Sequence, residues 1–202
     1  MTISSYPKIF QNGSTPSKLL DNGGDVYVQE KLDGSFFAFG IINGELSCRS
    51  KRKTDIQHAP DKLFKPAVDY VKSIEHHLLN NIVFYCETLK AKQHNVITYN
   101  THPVNHLALF DVYYIDEGKF YPSAVESCAN ILGIDAIPTF GLYEEVLNSG
   151  VNTLTEFIDM RESFLGGAKI EGVVMKNYTA DMLIGGKYYP MVGVKQTASR
   201  FK

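Results

Sequence analysis

Residues 26–50 constrain the fold of this chain most tightly. An apolar run, Val26-Tyr27-Val28, leads into Glu30 and Lys31, and a second, Phe36-Phe37-Ala38-Phe39, begins just beyond Gly34. The second run continues to Ile42 and meets Asn43-Gly44, a strong signal for a two-residue hairpin loop whose central residues need positive φ. Residues 45–50 are then the returning strand. Asp33-Gly34 admits a similar reading, a hairpin turn joining a strand at 26–30 to the one at 35–42. The returning strand runs out into Arg49-Ser50-Lys51-Arg52-Lys53, the densest basic run in the chain. Alone, such a run reads as a solvated loop. A hairpin brings its far end back beside its beginning, however, so the run is expected near Lys31.

Strands dominate the remainder of the chain. The stretches 82–89, 107–115, 137–143, 170–177 and 188–196 are short apolar runs bounded by turn residues. Helical spacing appears at 59–81, 123–132 and 154–165. Pro66 disturbs the first helix, so its regular part is expected nearer Ala67. Ser123 and Gly133 frame the second, and Thr153 or Thr155 caps the third before Gly166-Gly167. Residues 1–24 form a polar lead-in with one short element near Lys8-Ile9-Phe10. No stretch reads as a linker, and no internal repeat is visible. The expectation is one α+β domain over residues 1–202.

The 202 residues, 44% hydrophobic and 21% charged, have the balance of an ordinary globular chain that buries a sizeable core. Nothing approaches a transmembrane span, and residues 1–6 lack the regions of a signal peptide. Cys48, Cys86 and Cys128 are odd in number and scattered, which fits neither a disulfide framework nor a zinc site and points to reduced thiols in a cytoplasmic setting. A net charge of −2 argues against a protein coated in positive charge for nucleic acid, but it permits a local basic groove.

Glu87, Asp111 and Glu171 sit within or at the ends of apolar strands, where an acid is costly unless it is paired or binds something. Each alone is explained by a buried ion pair or an edge position. Together with Lys31 and Lys195 they suggest a converging site. A lysine amine is a nucleophile only when deprotonated, which burial and neighbouring cations favour. Its natural electrophile here is a phosphoryl centre, with basic groups neutralising phosphates and carboxylates holding a divalent metal.

Lys31-Leu32-Asp33-Gly34 resembles the signature of the covalent nucleotidyltransferases: ATP-dependent DNA ligases, RNA ligases and mRNA capping enzymes. Ser47-Cys48-Arg49-Ser50, Phe84-Tyr85-Cys86-Glu87, Leu109-Phe110-Asp111-Val112, Glu171-Gly172-Val173-Val174-Met175-Lys176 and Val192-Gly193-Val194-Lys195 resemble the later motifs in the family's order. A single KxDG is weak; the ordered set is strong. The small core, Glu30-Lys31 before the motif glycine and the Phe110-Asp111 pair favour, within this family, an ATP-dependent RNA ligase resembling the second phage T4 type.

The resemblance implies an ATP-grasp-like fold of antiparallel sheets flanked by helices, with the nucleotide in the groove between sheets. Lys31 would attack the α-phosphate of ATP and form a lysyl–AMP intermediate. Glu171 and Lys195 would share the catalysis, and Glu87 and Glu171 would hold Mg²⁺ or Mn²⁺. Gln29 and Glu30 would lie at the base edge, Arg49 on the ribose or a phosphate, and Phe110 on the purine, with Lys176 and Lys195 completing the nucleotide site. Asp33 and Asp111 are expected to orient neighbours. The partner would be RNA ends or nicks bearing a 5′-phosphate and a 3′-hydroxyl, with no membrane. A DNA ligase core, a capping guanylyltransferase and a non-catalytic nucleotide-binding relative are the alternatives. Two departures stand out. Gly193 occupies the first lysine position of the last motif, and after Lys195 there is no room for an OB-fold or other C-terminal domain.

Overall fold

The computed structural model describes residues 2–14, 17–18, 20, 23–184 and 186–201. In chain order the strands are β1 (Ile9–Gln11), β2 (Val26–Lys31), β3 (Ser35–Ile42), β4 (Glu45–Ser50), β5 (Ile82–Thr88), β6 (Leu107–Tyr114), β7 (Lys119–Phe120), β8 (Asp135–Ala136), β9 (Thr139–Leu142), β10 (Gly172–Asn177), β11 (Met182–Ile184), β12 (Lys187–Tyr189) and β13 (Val192–Thr197). The helices are α1 (Lys65–Ser73), α2 (Val125–Leu132), α3 (Tyr143–Leu147) and α4 (Leu154–Met160). The fold is α+β, and its ladders are antiparallel apart from the β1–β13 and β6–β8 pairs. No helix among the described residues is long and apolar enough to cross a membrane.

The chain divides into two compact units, Met1–Tyr6 with Asp33–Ile137, and Pro7–Leu32 with Pro138–Lys202. The first is built on a sheet in the order β4-β3-β5-β6-β7. Asn43 and Gly44 have φ of 52° and 83°, and Ile42 pairs with Glu45, so the expected two-residue hairpin is present. Phe37, Phe39, Cys48, Phe84 and Cys86 form one buried face, covered by Ala67, Val68 and Val71 of α1 and by Ala129 and Leu132 of α2. α1 is shorter than the pattern over 59–81 suggested, with Pro66 in its first turn and a separate tight turn at Glu75–His77. Gly133, with φ of 63°, ends α2 as expected.

The second unit is built on the order β1-β13-β10-β2-β9. β2 and β3 therefore enter different sheets, and Asp33-Gly34 is not a hairpin turn. Val28, Val173, Met175 and Val194 pack with Phe157 and Ile158 of α4 and Val146 of α3. Thr153 caps α4 through its hydroxyl, which accepts from the Glu156 amide at 3.1 Å. The helix stops at Met160, short of the expected Leu165, and residues 161–170 turn back so that the Ile170 amide donates to Arg161 O. The last expected strand is split at Pro190, which has no N–H to give a ladder. Its first part pairs with β11 as a separate hairpin.

Candidate active site

Residues opposed across a ladder share a face of the sheet. Gly172 is opposite Lys31 on one side and Thr197 on the other, and Val174 is opposite Gln29 and Lys195. Lys176 is opposite Tyr27, and Gln11 is opposite Lys195. Lys31, Gln29, Lys176, Lys195, Thr197 and Gln11 therefore lie on one face of the five-stranded sheet, while Val28, Val173, Met175 and Val194 lie on the core face.

Glu171 precedes β10 by one residue, and its Oε2 accepts from Lys31 Nζ at 2.5 Å. The two side chains are 24% and 16% exposed, so water reaches them only in part. Glu171 and Lys195 also line an open cleft of about 580 Å³ with Gln11, Asn12, Thr197 and Phe201. Lys176 is buried, and its ammonium donates to Gln29 Oε1 at 2.7 Å.

Two glycines explain the local sequence. A Cβ on Gly172 would lie 2.1 Å from Gln196 O and 2.8 Å from Thr197 Cα, so the glycine after Glu171 is required by the close approach of β13. A Cβ on Gly193 would lie 2.3 Å from Ile9 Cδ1. Ile9 of β1 thus fills the space above the position where the family pattern places a first lysine.

Glu30 differs from expectation. Its side chain lies on the core side, where Oε1 accepts from Ser163 Oγ at 2.5 Å and Oε2 from the Phe164 amide at 3.2 Å. Burial pushes its pKa up, and these two bonds oppose the rise. A base-edge contact from Glu30 would have to come from its backbone. The Ser163 turn that holds it was not anticipated, because a helix was expected to continue through it.

In the six-stranded sheet, Ala38 is opposite both Arg49 and Tyr85, Phe36 is opposite Glu87, and Tyr85 is opposite Asp111. Arg49, Glu87 and Asp111 thus share the face turned away from α1 and α2. A register shift between Tyr85 and Cys86 leaves Phe110 as an extra residue on β6. Its ring stacks with Tyr85, centroids 6.4 Å apart at 25°, on the same face as Asp111.

The lead-in crosses this face. Arg49 Nη1 donates to Ile3 O at 2.7 Å. The Tyr6 hydroxyl donates to Asp111 Oδ2, and its ring meets Tyr85 and Phe110 edge-on at 4.9 and 5.1 Å. Asp111 is fully buried, and Tyr6 satisfies it. Sequence reasoning missed Tyr6, since a single aromatic in a polar lead-in carries no period.

Asp33 is an organiser of its own unit. Its amide donates to Tyr99 Oη at 3.0 Å, and its Oδ2 accepts from the Val96 and Ile97 amides at 2.7 and 2.8 Å. Asn95 Nδ2 donates to Oδ1 at 3.2 Å. His94 reinforces this loop: the Lys90 amide donates to its Nδ1, which places the proton on Nε2, 2.8 Å from Ser35 Oγ. Burial lowers the His94 pKa below its usual 6.5, against the pull of the Asp33 charge. Burial pushes the Cys48 thiol up to about 12, Cys86 well above its ordinary value and Cys128 above its own, which disfavours the thiolate at each.

The RNA ligase family model matches residues 24–187, and the chain belongs to that family. A comparison with curated proteins found no match. Among solved structures, a Naegleria gruberi RNA ligase with PPi is 18% identical with a TM-score of 0.68, over 99% of this chain and 58% of that one. A variant of the same ligase with ATP and Mn gives 17% and 0.69 over the same shares. An archaeal ATP-dependent RNA ligase gives 18% and 0.62, over 98% of this chain and 49% of that one. At these identities the likeness is one of fold, and the chain spans about half to three-fifths of those proteins.

Proposed function

We propose that this chain performs the nucleotidyl-transfer chemistry of an ATP-dependent RNA ligase. The observation that carries the reading is the Lys31–Glu171 pair on a sheet face that also presents Lys176 and Lys195. In the first step Lys31 Nζ attacks the α-phosphorus of ATP. An N–P bond forms, the bond to the bridging oxygen breaks, and pyrophosphate leaves with the electron pair. The Lys31 ammonium must lose one proton before it attacks, and Glu171 Oε2 is positioned to take it; the nitrogen sheds a second as the phosphoramidate forms, and that proton leaves with pyrophosphate or to water. Lys195 stabilises charge on the phosphate oxygens. In the second step a 5′-phosphate oxygen displaces Lys31 and takes the AMP. In the third a 3′-hydroxyl attacks that end, closes the phosphodiester and releases AMP.

Lys176 donates its ammonium to Gln29 Oε1, so the two side chains would act as a pair in the nucleotide site. The proposed ribose and base contacts of Arg49, Glu87 and Phe110 rest on the motif match. The donor set fits Mg²⁺ or Mn²⁺ better than a metal held in a protein cage. Among the described residues no group of three His, Cys, Asp or Glu is gathered, and Mg²⁺ is ordinarily held by one or two carboxylates plus phosphates and water. Glu171 would supply one such carboxylate, the motif match assigns the same role to Glu87, and the ion would neutralise triphosphate charge. The relatives solved with ATP and Mn, or AMP and Mn, agree with this choice. Two buried free cysteines suit a reducing, cytoplasmic setting.

The substrate is tested by sealing assays on 5′-labelled nicks in RNA and DNA duplexes with ATP and Mg²⁺ or Mn²⁺. Sealing of the RNA nick is expected. Sealing confined to DNA would replace RNA ligase by DNA ligase in this reading.

A further inference from the structure

Glu171 stands one residue outside the β10 ladder, which begins with Gly172 opposite Lys31 and Thr197. Strand pairing therefore fixes its neighbour and leaves Glu171 itself to be set by other contacts. The backbone here is held from the turn Ser199–Phe201 and the residue before it. The Ala198 amide donates to Glu171 O at 2.9 Å. Arg200 Nη2 donates to Ile170 O at 2.6 Å, and its Nη1 donates to Asp159 Oδ1 of α4 at 2.6 Å. The Arg200 guanidinium also lies over the Phe201 ring, 5.1 Å from its centroid, and Phe201 lines the cleft with Glu171 and Lys195.

We propose that Arg200 is a positioning residue for Lys31 chemistry: anchored on Asp159, it clamps the Ile170 carbonyl and so holds the Glu171 carboxylate against Lys31 Nζ. This rests on the proposed role of Lys31. The ion pair is too exposed, at 34% and 49%, for its worth to lie in stability. Its two charge-assisted bonds instead restrict geometry. Lysine would keep one donor and lose the fork that reaches a carbonyl and a carboxylate together. A small displacement at a reacting pair lowers the rate steeply, even when it originates away from the chemistry.

The test compares wild type, Arg200→Ala, Arg200→Lys and Asp159→Asn by two readouts. One is acylation of Lys31 by acetic anhydride without ATP, read by peptide mass spectrometry against Lys195 as internal reference. The other is the single-turnover rate of lysyl–AMP formation across ATP concentrations. Arg200→Ala is expected to raise Lys31 acylation several-fold and slow adduct formation by about 10- to 100-fold, with half-saturating ATP little changed. Arg200→Lys should recover part of both. Asp159→Asn, which removes the anchor and keeps the guanidinium, should shift both in the direction of Arg200→Ala and serves if that variant does not fold. Lys31 acylation unchanged in folded Arg200→Ala and in Asp159→Asn would overturn the proposal. If wild type forms no adduct, the ligase reading fails, and the acylation arm still decides the role of Arg200.

Discussion

Lys31 Nζ and Glu171 Oε2 lie 2.5 Å apart although 140 positions separate the two residues in the chain. Partly buried ion pairs add little net stability, because desolvation offsets the attraction. The value of this pair is therefore expected to lie in chemistry. Glu171→Gln keeps the shape and an oxygen acceptor but removes the proton acceptor. Lysyl–AMP formation is expected to slow by about 10²- to 10⁴-fold, measured as a single-turnover rate, with the unfolding midpoint near wild type.

Gly172 is where backbone packing and the site meet. Gly172→Ala must move β13, which carries Lys195, because the new Cβ would meet Gln196 O at 2.1 Å. A loss of about 1–3 kcal/mol is expected from this overpacking, checked by urea unfolding.

Gly193→Lys restores the family's first lysine but collides with Ile9 Cδ1, the far end of a side chain. It should cost about 1 kcal/mol, and most of that should return when Ile9→Ala is added. A double variant no more stable than the single one would contradict the view that Ile9 occupies that space.

Asp33 receives three hydrogen bonds from residues 95–97. Asp33→Ala should destabilise the protein by about 1–3 kcal/mol through donors left unpaired. Proteolysis should then begin within residues 90–99 before it does elsewhere.

His94 and Glu30 give pH dependences of opposite sign. His94 has a lowered folded pKa, so its contribution is complete above 6.5 and is lost as pH falls through the folded value. The stability advantage of wild type over His94→Gln should shrink between pH 7.5 and 5. Glu30 has a raised folded pKa, so its contribution is full below 4.5 and is lost as pH rises through the folded value. Relative to Glu30→Gln, wild type should weaken over that upper range. Urea midpoints across pH measure both.

The β3–β4 hairpin was legible because Asn43-Gly44 encodes positive φ locally. The Asp33-Gly34 turn misled for the same reason: local turn chemistry is silent about which sheet each flanking strand joins. Motif order singled out Lys31, Glu171 and Lys195, and strand register brings Lys31 and Lys195 onto one face of the five-stranded sheet. Tyr6 was not legible, since its partner Asp111 is 105 residues away and nothing in the lead-in marks it. The Ser163 turn was hidden by an apolar pattern that fits a helix. The buried Glu30 carboxylate, which needs donors, goes with the chain leaving α4 at Met160. Arg200 escaped because its partners are a carbonyl and a carboxylate from separate segments, which no local pattern encodes.

The most direct test of the central claim is covalent labelling. Wild type and Lys31→Ala are incubated with α-labelled ATP and Mg²⁺ or Mn²⁺, denatured and examined for label on the chain. Label from ATP is expected on wild type and none on Lys31→Ala. Label that persists in Lys31→Ala, or wild type that binds ATP without ever becoming labelled, would contradict the assignment of Lys31 as the nucleophile.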